Sequence, residues 1–140
     1  MGAGMGTNMG HSKAGHVNEL ICEVMDMSKR IRRQLGPGYL ESVYKNAMVV
    51  ELRKNQFRYE IERPIQVFYD GVVVGDFKAD IVVEESLILE LKAVHNLSIA
   101  HEVQLVNYLT ATGIDNGLLI NFGSEALQFK RKYRLYTPKG

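Results

Sequence analysis

From Val17 to Leu35 the apolar positions Val17, Leu20, Ile21, Val24, Met27, Ile31 and Leu35 recur every three or four residues, the spacing of a helix with one buried stripe. Gly36-Pro37-Gly38 stops it. A second helix is expected from about Tyr39, with Leu40, Val43, Tyr44, Ala47 and Met48 on its inner face. After Asn55 the pattern turns extended. Tyr59 to Tyr69 carries Ile61, Ile65, Val67 and Phe68, Pro64 implies an irregularity or an edge, and Asp70-Gly71 is a hairpin signal. Val72 to Glu84 and Leu87 to Val94 follow as strands joined around Glu84-Glu85-Ser86, which gives a three-stranded antiparallel meander. A third helix is expected from about Ser98 to Thr112, ended by Gly113, and then a buried strand from Gly117 to Phe122. The helix between them makes the Leu87 and Gly117 strands parallel neighbours in a right-handed crossover. Leu127 to Tyr136 alternates as an edge strand.

Charge changes this picture in one place, Asp80 to Lys92. If Leu87, Leu89 and Leu91 turn to one face of a strand, Ile88, Glu90 and Lys92 turn to the other. Phe77, Ala79, Ile81 and Val83 alternate in the same way with Lys78, Asp80, Val82 and Glu84. Two carboxylates and an ammonium then meet on one face of a hairpin. Hard oxygens suit a divalent cation, and a lysine beside them can orient water or offset phosphate charge. The competing reading is a solvated strand face with a weak ion pair. Glu41, at the edge of the second helix's apolar stripe, is half-buried by geometry, or else only serves the helix dipole. On the third helix His101, Gln104 and Tyr108 share a face that lines a site or borders solvent.

The 140 residues suffice for one domain, and 46% hydrophobic with 24% charged residues is ordinary globular composition. A formal charge of +1 argues against a strong non-specific DNA binder. Local basic runs remain at Lys29, Arg30, Arg32 and Arg33 and at Lys130, Arg131, Lys132 and Arg134, read as solvated faces or as phosphate contacts. Cys22 is the single cysteine; it excludes an internal disulfide, suggests a cytoplasmic setting and reads as a buried structural thiol. No apolar run approaches the roughly 20 residues that span a bilayer. Residues 1–15, rich in glycine and methionine, read as a flexible leader and in part an expression remnant, and residues 16–137 as one domain.

Gly38-Tyr39-Leu40-Glu41-Ser42-Val43-Tyr44 has the Gly-x-x-Glu-x-x-Tyr form. Together with Leu35-Gly36-Pro37-Gly38, Asp80, Glu90-Leu91-Lys92-Ala93-Val94 and Gln104-Leu105-Val106-Asn107-Tyr108-Leu109, it resembles the GxxExxY proteins in order and spacing from about Val17 to Tyr136. That family is placed in the PD-(D/E)xK superfamily of nuclease-like folds. The resemblance implies an α/β fold with a central mixed sheet flanked by helices. It implies that Glu41, Asp80 and Glu90, with the Leu91 carbonyl, bind magnesium or manganese, and that Lys92 stands near the attacking water. Gln104 and Tyr108 then support the site or touch a nucleic acid backbone, and Tyr44 orients Glu41 or packs. Two departures are visible: Ala79-Asp80 replaces the Pro-Asp of many nucleases, and Arg32 stands where many relatives have histidine. His95, just past the Lys92 strand, reads as a surface residue rather than a general base, since lysine and metal already supply the chemistry.

The function expected on this basis is magnesium-dependent hydrolysis of phosphodiester bonds in DNA or RNA. Neighbouring carboxylates raise a lysine's pKa, so Lys92 is expected to orient and stabilise charge rather than act as a free base. The rival reading is a catalytically silent nuclease fold that binds nucleic acid or serves as a scaffold, since fold does not fix function. Two copies could also pair through the two long helices or the terminal strand.

Overall fold

The computed structural model of the chain describes residues 13–135. Residues 1–12 of the expected leader lie outside the described residues, whereas Lys13, Ala14 and Gly15 already belong to the first helix, α1 (Lys13–Leu35). Val17, Leu20, Ile21, Val24, Met27 and Ile31 are buried along it, as their spacing requires. Cys22 is exposed, contrary to expectation. It follows Ile21 by one residue, a rotation of about 100° that carries its side chain off the apolar stripe.

The second helix, α2 (Glu41–Lys54), begins two residues later than expected. Gly36 and Gly38 adopt φ of 71° and 113°, and Leu40 is an extended N-cap whose side chain points into solvent instead of the core. Tyr44, Met48 and Leu52 form the buried face, with Glu51 paired to Arg30 at 2.7 Å.

Five strands, β1 (Tyr59–Tyr69), β2 (Val72–Val83), β3 (Leu87–Lys92), β4 (Asn116–Asn121) and β5 (Gln128–Tyr133), form one sheet in sequence order. Helix α3 (Ile99–Thr112) connects β3 to β4, which are parallel with Leu89 beside Leu118; the other pairs are antiparallel. The sheet is therefore mixed and flanked by helices. Strands β2, β3 and β5 are shorter than their alternation suggested, β4 runs one residue earlier than expected, and Tyr136, the expected end of the last strand, lies outside the described residues. At the β2–β3 turn the reason is local: Glu84 and Glu85 take left-handed φ of 53° and 51°, and the turn begins there. Asp70 and Gly71 do the same at the first hairpin, the geometry a two-residue turn demands.

The core has two layers. Leu87, Leu89, Leu91, Ile81, Val83, Leu118 and Ile120 pack with the buried faces of α1 and α2. Val82, Ile88 and Leu119 pack on the opposite side with Leu105, Tyr108 and Leu109 of α3. Strand β3 is thus covered on both faces. Gly117 permits the approach of α3, since a Cβ there would stand 2.9 Å from Leu105 Cδ1. Strands β1 and β2 continue well past β3, so that Ile65–Tyr69 and Val72–Phe77 form a two-stranded arm beside α3.

Candidate active site

The paired β2–β3 ladder spans Val83/Leu87 to Ile81/Leu89, and one residue beyond it the two acids take over. The Asp80 N–H donates to Glu90 Oε2 at 2.7 Å, and the Leu91 N–H donates to Asp80 Oδ2 at 2.9 Å. Each carboxylate thus stands in for a carbonyl of the opposite strand. The strict alternation expected across β2 breaks here. Ala79 packs with Ile65 on the α3 side whereas Ile81 packs on the other, and the partner strand carries a left-handed Glu62, φ 52°, at this level. A local twist, not a flat pleat, sets the direction of Asp80.

Burial dominates the electrostatics. Glu90 is 4% exposed. Burial and then repulsion from Asp80 push its pKa up to about 8, against the opposing pull of the Asp80 N–H and of Lys92. Glu41, half-buried at the head of α2, is also raised by burial, which outweighs Lys92; Asp80 adds to the rise. Burial raises the Tyr108 hydroxyl too, with Glu90 and Asp80 adding to it. Groups from α2, β2, β3 and α3 therefore share one low-dielectric space.

Lys45 completes this space and was not singled out in the sequence. Its Nζ lies 3.5 Å from Asp80 Oδ1 and 3.6 Å from Glu62 Oε2. Burial works against its charge, but Asp80 and Glu62 outweigh burial and hold its pKa above the ordinary value. The available signal was its place four residues after Glu41, on the same helical face. Lys92, by contrast, makes no side-chain hydrogen bond or ion pair among the described residues, although Glu41 and Glu90 both feel its charge.

Tyr44 is directed elsewhere. Its ring is fully buried and stacked on Phe122 at 4.7 Å, and its hydroxyl donates to Gly36 O at 2.7 Å and accepts the Tyr39 N–H at 3.2 Å. It fastens the glycine turn to α2 and touches no acid. Arg32 likewise serves a loop, donating to Ser124 O and Glu125 O at 2.7 and 2.8 Å. Gln104 and Tyr108 line a groove between α3 and the β1–β2 arm, and Tyr108 borders the acids as well. His95 is exposed. Both basic runs are largely occupied internally: Arg30 by Glu51, Arg131 by Asn18 and Asn116, Lys132 by Glu102 and Arg134 by Asp115.

The acids fit a hard divalent cation in kind. The cluster offers carboxylates and a nearby backbone carbonyl with no thiolate, the donor set of magnesium or manganese. A buried acid and a partly buried one in mutual repulsion are also what a cation relieves. The arrangement is not ready-made: among the described residues no three His, Cys, Asp or Glu side chains stand together as a cation-holding group. One oxygen of each strand acid is turned to a backbone N–H and the other Asp80 oxygen faces Lys45.

A family model described as the PD-(D/E)XK nuclease superfamily matches residues 18–132. The chain belongs to that superfamily. Its fold agrees with a solved protein titled "Crystal structure of SSO0001", at a TM-score of 0.56 and 18% identity over 69% of this chain. The chain spans 50% of that protein's length, and at this identity the likeness concerns the fold alone. No curated protein matches the sequence. No helix among the described residues is long and apolar enough to cross a membrane.

Proposed function

We propose that the protein is a magnesium-dependent nuclease of the GxxExxY type, hydrolysing phosphodiester bonds of DNA or RNA. One observation carries the reading. Asp80 and Glu90 hold each other's strands through one oxygen each, while Lys92 beside Glu90 has no side-chain partner among the described residues. A fold needing only a sheet would not set a buried carboxylate against a second, partly buried one at its centre, because their repulsion and the burial of Glu90 destabilise the metal-free protein. The Gly38–Tyr44 signature supports the finer family assignment.

Asp80, Glu90 and the Leu91 carbonyl are the residues that would hold the cation, joined by Glu41 from α2. Magnesium, when bound there, would supply Lewis-acid polarisation of the phosphate and a more acidic water. The chain's own part is electrostatic and positional. Lys92 is free to meet a phosphate oxygen and stabilise the charge that grows there. Lys45 offsets the charge of Asp80. Tyr108 closes the α3 side against bulk water.

The test is cleavage of single- and double-stranded DNA and RNA with and without magnesium, for the wild type, Asp80→Asn and Lys92→Ala. Asparagine keeps an oxygen for the Leu91 N–H, so loss of activity reports on charge and not on a loosened strand. Activity that survives both changes rules the reading out. A second reading, a silent nuclease fold that binds or scaffolds, draws on the same geometry: no three-ligand group is preformed among the described residues and Lys45 sits on Asp80. Calorimetry separates them, since the silent fold binds magnesium or manganese no better than Asp80→Asn does.

A further inference from the structure

The β1–β2 arm and α3 enclose a groove of about 1120 Å³. Its walls include Val67, Phe68 and Phe77 from the arm and Ile99, Val103 and Tyr108 from α3, with the amides of Gln66, Gln104 and Asn107 among them. Among the described residues no charged side chain lines it, and neither Asp76 nor Lys78, the neighbours of Phe77, takes part. Gly75 keeps the arm's wall open: a Cβ there would stand 2.7 Å from the Phe77 ring, which lies across that position instead.

Several of the apolar residues along these walls are well exposed. Phe68 is 59% exposed, Ile99 74% and Val103 51%, and Val73 lies on the same arm at 42%. At about 150–200 Å² for each large residue, the exposed parts of Val67, Phe68, Val73, Phe77, Ile99 and Val103 amount to roughly 450–600 Å² of mainly apolar surface. That lies at the upper part of the about 300–600 Å² spanned by the largest patch of a typical monomer, a patch that is often functional. It is roughly half to three quarters of the ~800 Å² per partner of a standard interface.

We infer that this face is where two copies of the chain associate, the arm of each lying in the α3 groove of the other about a two-fold axis. The missing charge selects the occupant. A two-fold axis brings a surface against itself, so any charge near the axis meets its own like, whereas an uncharged apolar face meets itself without repulsion. The same lack of cations suits the groove poorly to a phosphate backbone. The arm is also accessible: beyond Ile65 its strands pair only with each other among the described residues, and the β1 edge is open. The pairing surface is therefore the arm and α3, not the long helices or the terminal strand. Because Tyr108 belongs both to this groove and to the border of the acids, the partner's arm closes one side of the candidate active site.

The test uses the full chain at roughly 1–100 μM, at and above the micromolar end of the affinities seen for standard-size interfaces. Sedimentation or light scattering is expected to give twice 15.8 kDa at the upper end. Val103→Asp and Phe68→Asp are expected to give the single mass with unchanged helical circular dichroism, and Leu135→Asp, at the far end of the chain, the double mass. Hydrogen exchange on the wild type supplies a readout that no variant can confound: amides 66–77 and 99–111 gain protection as concentration rises. A wild type of single mass throughout, or a dimer indifferent to both aspartates, overturns the inference. So does protection of the groove that appears only with a single-stranded oligonucleotide, which gives the face to nucleic acid instead.

Discussion

Replacing Glu90 by glutamine is expected to make the metal-free protein more stable, and increasingly so as pH rises. Burial and Asp80 hold the Glu90 carboxyl at about 8 against an ordinary 4.5. Between those values the folded chain keeps a proton that the unfolded chain has lost. Unfolding then releases a proton, and each rise in pH favours it. The stability is fully present below about pH 4.5 and gone above about pH 8. At roughly 1.4 kcal/mol per pH unit the whole effect has a ceiling of about 5 kcal/mol, a large part of the ~5–15 kcal/mol that folds a domain. A glutamine side chain cannot ionise, and its amide oxygen still accepts the Asp80 N–H. Urea unfolding in the presence of a chelator measures the gap between Glu90→Gln and wild type: under ~1 kcal/mol near pH 5, and about 3–5 kcal/mol near pH 8.5. Glu41 titrates in both proteins and largely cancels. A gap that does not change with pH, or a variant less stable than wild type near pH 8.5, refutes the reasoning.

Lys45→Met removes the ammonium that faces Asp80 Oδ1 at 3.5 Å; magnesium affinity by calorimetry is expected to rise several-fold, and a fall would show that Lys45 helps the cation rather than competing with it. Tyr44→Phe keeps the stack on Phe122 but orphans the Gly36 carbonyl, so thermal or urea unfolding is expected to show a loss of about 1–3 kcal/mol. Gly123→Ala would bring a Cβ within 2.5 Å of the Ala93 backbone carbon, which cannot yield as a side chain can, and is expected to cost at least about 3 kcal/mol by the same measurement.

The elements were legible because their periods differ. Seven apolar positions spaced for a helix marked α1, and the crossover through α3 implied the parallel β3–β4 pair that the register bears out. Ends were less legible. The start of α2 depended on left-handed Gly36 and Gly38, and the end of β2 on two left-handed glutamates that no pattern announces. Cys22 was misplaced because an apolar neighbourhood in sequence is not one in space. In the site, Asp80, Glu90 and Lys92 stood out as charges among aliphatic residues. Lys45 did not, since a lysine on an amphipathic helix is ordinary until the sheet twist brings Asp80 to it. Tyr44 drew attention by its spacing from Glu41, but its hydroxyl direction follows from the backbone of a turn five to eight residues upstream.

That direction gives Phe122 a reach its position does not suggest. The Tyr44 ring rests flat on Phe122 just past β4, and the hydroxyl at its far end grips the turn that launches α2. The helical acid is thereby surveyed from two benchmarks, its own glycine turn and the far side of the parallel strand pair. Phe122→Leu removes no charged group, yet by taking away the ring under Tyr44 it is expected to let α2 shift against the sheet and carry Glu41 with it.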